Sequence, residues 1–213
     1  MVALDNGTVF HREKVPFRLP RFSVPAAIAL VAAGVLAYSL ALRNFEDNGF
    51  RLASQNAWRF GCFVFFAAIM AGPAARLIPP LRRLEDMSCR LFQGFCACYA
   101  IYLLSVLLPN SFSFEGAPAV DLFVMFSSGV TLVMALALTP RMAQVAGDAT
   151  RRALLGVAAI YFWLCYALMG LAYISHPHRP DDFYGFSLSL MLVALLVRFA
   201  DSYRMRSPDA DRA

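Results

Sequence analysis

The stretch ALLGVAAIYFWLCYALMGLAYI, Ala153 to Ile174, runs for 22 residues without a charge and follows directly on the pair Arg151-Arg152. A helix of that length spans the roughly 30 Å of hydrocarbon in a bilayer. It is apolar on every side, which suits lipid better than the surface of a small soluble protein. Five further stretches of the same kind divide the rest of the chain: Val24–Leu42, Phe60–Ile78, Leu91–Leu108, Val120–Leu138 and Phe183–Phe199. The pattern predicts an all-α integral membrane protein, a six-transmembrane-helix bundle. Residues 1–23 form a cytoplasmic N-terminal tail, 24–199 the bundle and 200–213 a cytoplasmic C-terminal tail.

The orientation comes from the basic residues between these stretches. Six crossings put both termini on one side. That side carries Arg12, Lys14, Arg18 and Arg21 in the tail, and Arg76, Arg82, Arg83 and Arg90 in the second loop. It also carries Arg141, Arg151 and Arg152 in the fourth loop, and Arg198, Arg204, Arg206 and Arg212 at the C-terminal end. The opposite side has Arg43, Arg51, Arg59 and Arg179, a split of 15 to 4. The positive-inside rule places the rich side in the cytoplasm, hence N-in and C-in. The expected home is a bacterial cytoplasmic (inner) membrane, with outer loops Arg43–Arg59, Pro109–Ala119 and Ser175–Asp182. An outer-boundary position is expected for Trp58 and Phe60. The first apolar stretch is longer than a signal-peptide core and follows a long tail with Pro16 and Pro20, so an uncleaved signal anchor is expected.

Composition narrows the function classes. With 60% hydrophobic residues and a mean hydropathy of +0.59, the 213 residues leave no room for a soluble domain beside six helices. The net charge of +5 is spread over segments flanking helices, so topology and anionic headgroups account for it and no nucleic-acid partner is expected. Proton-coupled transport needs an ionisable group near the bilayer midplane, and no Asp, Glu, Lys, Arg or His lies mid-span. Asp121 sits at the outer end of the fourth span. Ser127 and Ser128 have no intramembrane base to activate them as nucleophiles.

Of the five cysteines, Cys62, Cys96, Cys98 and Cys165 lie within spans and Cys89 does not, with no metal-ligand or redox spacing among them. No metal site is expected. The weak surface alternative is His176, His178 and Asp181, which an outer loop would bring near a divalent ion. Helix packing has clearer signals. Gly94, Ala97 and Ala100 in the third span, and Ser127, Ser128 and Gly129 in the fourth, are small residues suited to close approach or interhelical hydrogen bonds. Pro73 is expected to bend the end of the second span, and Pro79 and Pro80 to stop it.

Three motifs resemble the ferric-reductase-like transmembrane family, whose members include the haem-binding membrane subunit of the methionine sulfoxide reductase system. They are Gly72-Pro73-Ala74-Ala75-Arg76-Leu77-Ile78-Pro79, Arg90-Leu91-Phe92-Gln93-Gly94-Phe95, and Leu136-Ala137-Leu138-Thr139 followed by Arg151-Arg152, Leu155, Tyr161 and Trp163. The resemblance covers Ala57 to about Tyr173, a little over half of the chain. It implies a shared helical bundle. The family's haem-holding histidines fall where this sequence has Ala100-Ile101-Tyr102-Leu103-Leu104 and Leu154-Leu155-Gly156-Val157, so the resemblance implies a haem-less relative.

The functional expectation is a non-catalytic multi-pass protein, a scaffold or accessory subunit of a larger membrane complex, with the bilayer and other integral membrane subunits as partners. Two alternatives stay open. One is an electron-transfer subunit binding haem b or quinone, which rests on the family resemblance alone; the other is a neutral-solute transporter or channel.

Overall fold

The computed structural model describes residues 23–42, 47–110, 118–174 and 182–206, and its described elements are helical. In chain order they are α1 (Ser23–Ala41), α2 (Asp47–Leu77), a 3-10 turn (Pro79–Leu84), α3 (Glu85–Asn110), α4 (Pro118–Ala137), α5 (Pro140–Ile174) and α6 (Asp182–Arg206). Five contain runs long and apolar enough to cross a membrane: Ser23–Ala41, Gly49–Leu77, Met87–Leu107, Gly147–Leu171 and Asp182–Tyr203. The apolar run described in α4, Phe123–Ala137, is shorter. The candidate metal residues His176, His178 and Asp181 lie outside the described residues, as do residues 1–22 and 207–213.

The surface is that of a protein made for lipid. Leu30, Met125, Val157 and Phe199 are 68–76% exposed on four different helices, and leaving such side chains in water forfeits about 25 cal/mol per Å² of apolar area. The helices pack around α2, which touches α1, α3 and α6, while α5 joins α6 to α4 and α4 reaches back to α3. The sequence of α2 explains this central place. Ala53, Ala57, Cys62, Phe65, Ile69 and Ala75 are buried at roughly helical spacing, with small residues toward both ends and the bulky ring between.

Several element boundaries differ from the sequence expectation. Most of the outer loop Arg43–Trp58 is helix, because α2 begins at Asp47. Its polar first turns find partners: Asn56 Nδ2 donates to Ser39 Oγ of α1 at 3.0 Å, and Ser39 Oγ donates to the Val35 carbonyl at 2.7 Å. Trp58 therefore falls in the fourth turn of α2, not at the start of its helix, and is buried in the core. Pro79 and Pro80 do end α2, opening a 3-10 turn after an extended Ile78, and α3 then begins at Glu85 rather than Leu91. The fourth loop is also helical. The stretch from Pro140 joins α5 through Gly147, whose φ of 76° and ψ of 157° break the helix in a region that L side chains avoid. α6 continues past Phe199 to Arg206, into the expected tail.

Candidate functional site

The middle of the bundle is filled by aromatic rings. Phe65 of α2, Phe95 and Tyr99 of α3, and Phe162 and Tyr166 of α5 are fully buried and mutually in contact, with Phe95–Phe162 and Tyr99–Phe162 centroids each 4.8 Å apart. Trp58 meets Tyr166 at 4.4 Å and Tyr102 at 5.3 Å, both in tilted contacts. These separations are ring-contact distances. Tyr102, at the place where the family resemblance puts a ligand, belongs to this cluster, its ring 5.2 Å from that of Tyr99. The hydroxyls of Tyr99 and Tyr166 are buried there without a hydrogen-bond partner among the described residues. Gly61 makes room for the second: a Cβ at that position would sit 3.0 Å from the Tyr166 oxygen.

The predicted packing residues separate into two kinds. In α3, Gly94 is buried under Ile28 of α1, where an added Cβ would lie 2.5 Å from Ile28 Cδ1 and 3.2 Å from its Cβ. Ala97 is half-buried and Ala100 exposed, so the contact narrows along the stripe. In α4, Ser127 is buried and its Oγ shares a 2.6 Å hydrogen bond with the Tyr161 hydroxyl of α5. Ser128 turns its hydroxyl back onto the Val124 carbonyl at 2.7 Å. Gly129 is exposed, with nothing within 4 Å of a Cβ built on it. It lies in an apolar groove of about 530 Å³ between α4 and α5, bordered by Phe126, Val133, Leu154 and Val157.

A second feature joins residues 125 positions apart. Arg76, near the end of α2, grips Asp201 of α6 through the Nε–Nη2 edge of its guanidinium: Nε to Oδ1 at 3.1 Å, Nε to Oδ2 at 3.2 Å and Nη2 to Oδ2 at 2.6 Å. Arg76 Nη1 also lies 3.6 Å from Glu85 Oε1 of α3. The Asp201 side chain is 8% exposed against 39% for Arg76, so the carboxylate depends on this partner more than the guanidinium does. Arg198, one turn before Asp201, lies within electrostatic reach of both. α5 and α6 are tied by Trp163 Nε1, which donates to the Met191 carbonyl at 2.9 Å, and by Gly170, where a Cβ would be 3.1 Å from the Tyr184 carbonyl oxygen.

No family model, curated protein or solved structure matches the chain.

The functional reading therefore rests on the residues themselves. The sequence shows Arg198 among the basic residues of the C-terminal end and Arg76 in a motif, without joining α2 to α6. The available signal was a carboxylate on an otherwise apolar helix facing an arginine at the end of another. Cys62, Cys96, Cys98 and Cys165 are buried among apolar side chains and Cys89 is exposed.

Proposed function

We propose that this chain is a six-span, N-in and C-in protein of a bacterial inner membrane that acts as a non-catalytic scaffold or accessory subunit of a larger membrane complex. In this reading α4, whose 20 residues give about 30 Å of helix, is the sixth crossing. The observation that carries it is the α4–α5 groove, where Gly129 opens a helix surface to the membrane with no neighbour filling it. Small residues on lipid-facing helices serve close approach by another helix. The resemblance to ferric-reductase-like proteins makes an electron-transport complex the natural host.

Gly129→Leu tests this directly. With no atom near the new side chain, the purified protein should keep its thermal stability within about 0.5 kcal/mol, while co-purifying subunits fall several-fold. Wild-type protein that is monomeric and fully active alone in native membranes removes the scaffold reading.

A second reading, a quinone- or haem-binding electron-transfer subunit, draws on the buried Tyr99 and Tyr166 hydroxyls, which a quinone carbonyl or a water would satisfy. A visible spectrum and quinone extraction of the pure protein separate it from the first. The solute-channel reading gains nothing from a centre packed with rings.

A further inference from the structure

Two neighbouring hollows share lining residues on α2 and α6, the first completed by α5 and the second by α3. The upper is apolar, about 220 Å³, and runs between Ile160 and Leu164 of α5 and Leu195 of α6, with Trp163 in its wall. The lower is polar, about 400 Å³, and contains Gly72, Arg76, Ser88, Asp201 and Ser202. Ile69 and Arg198 border both. An apolar groove and a polar recess thus lie side by side, and Arg198 belongs to the lining of both.

The two arginines there are engaged differently: Arg76 holds Asp201 and also lies 3.6 Å from Glu85. Arg76 saturates Asp201 with its bidentate grip, whereas no hydrogen bond or ion pair joins Arg198 to another described residue. Arg198 is exposed, and its α6 neighbours Leu195 and Phe199 face outward with it. A cation at the polar end of an apolar groove complements a phosphate attached to a hydrocarbon chain. We propose that this seam binds an anionic phospholipid, with its phosphate on Arg198 and one acyl chain along Ile160, Leu164 and Leu195. A free phosphate would use the recess and leave the groove unfilled, so the lipid is the occupant that fits both parts.

Trp163 provides the readout. The chain has two tryptophans, and Trp58 is 5% exposed inside the aromatic core, so a quencher in the groove acts on Trp163. The full chain, reconstituted in phosphatidylcholine vesicles, is titrated with brominated phosphatidylglycerol or brominated phosphatidylcholine. Quenching by the anionic lipid should saturate at low mole fraction, with about a five-fold preference over the zwitterionic one. Arg198→Gln should reduce that preference to near unity with an unchanged thermal midpoint. Arg152→Gln, an exposed arginine away from the seam, should retain it. Equal quenching by both lipids in the wild type overturns the proposal. So does a preference that survives Arg198→Gln, that falls equally in Arg152→Gln, or that millimolar inorganic phosphate abolishes.

Discussion

Removing Arg76 should damage the protein more than removing the aspartate it holds. In Arg76→Ala the Asp201 carboxylate, 8% exposed, loses all three short contacts from its donor. Stranding a buried charge costs about 3–5 kcal/mol, and the nearby Arg198 brings the expected value to about 3. In Asp201→Ala the surviving guanidinium is 39% exposed and keeps Glu85 at 3.6 Å, so it is solvated in place and the loss should be about 1 kcal/mol. At roughly 2–4 °C per kcal/mol for a chain of this size, the midpoints should fall by about 9 °C and about 3 °C. The assay is thermal unfolding in detergent followed by a thiol-reactive dye, since Cys62, Cys96, Cys98 and Cys165 are buried and react on unfolding. A Cys89→Ser background removes the exposed thiol. The double variant should be more stable than Arg76→Ala alone, because it no longer buries an unpaired carboxylate. Equal losses in the two single variants, or a larger loss in Asp201→Ala, would refute the asymmetry.

Other outcomes follow from the same geometry. Gly94→Leu should lose about 1–3 kcal/mol by driving α1 off α3, and Ile28→Ala should recover part of it in a thermal-stability series. Ser127→Ala and Tyr161→Phe should each lose about 1 kcal/mol, and the double variant little more than either, because they share one hydrogen bond. Reporter fusions at Asn48, Glu115 and Asp181 should give periplasmic signals, and a cytoplasmic signal at any one breaks the proposed topology.

The helices were legible because each apolar run is long enough to announce itself, as Ala153–Ile174 does. Their ends were not. Asp47–Trp58 reads as a polar outer loop, yet its alanines face the core and its Asn56 finds Ser39, contacts that depend on where α1 lies. Residues 140–146 carry the charge of a loop and still form helix, stopped by the φ of Gly147. The small residues were visible as a class, but Gly94 and Gly129 look alike in sequence while one is covered by Ile28 and the other open. The Arg76–Asp201 pair was hidden for a similar reason: its halves lie at the ends of helices that meet only in three dimensions.

The junction between α4 and α5 bears on how the chain enters the membrane. Arg151 Nε donates to the Ala137 carbonyl at 2.8 Å, occupying one of the acceptors that a helix leaves bare at its last turn. Within the same two helices Ser127 and Tyr161 satisfy each other. A hairpin of these two helices supplies hydrogen bonds of its own. It would move into lipid with less polar surface to dehydrate than two separate segments would expose. A short or weakly apolar segment gains most from such company, and α4 is the helix whose described apolar run is the shortest.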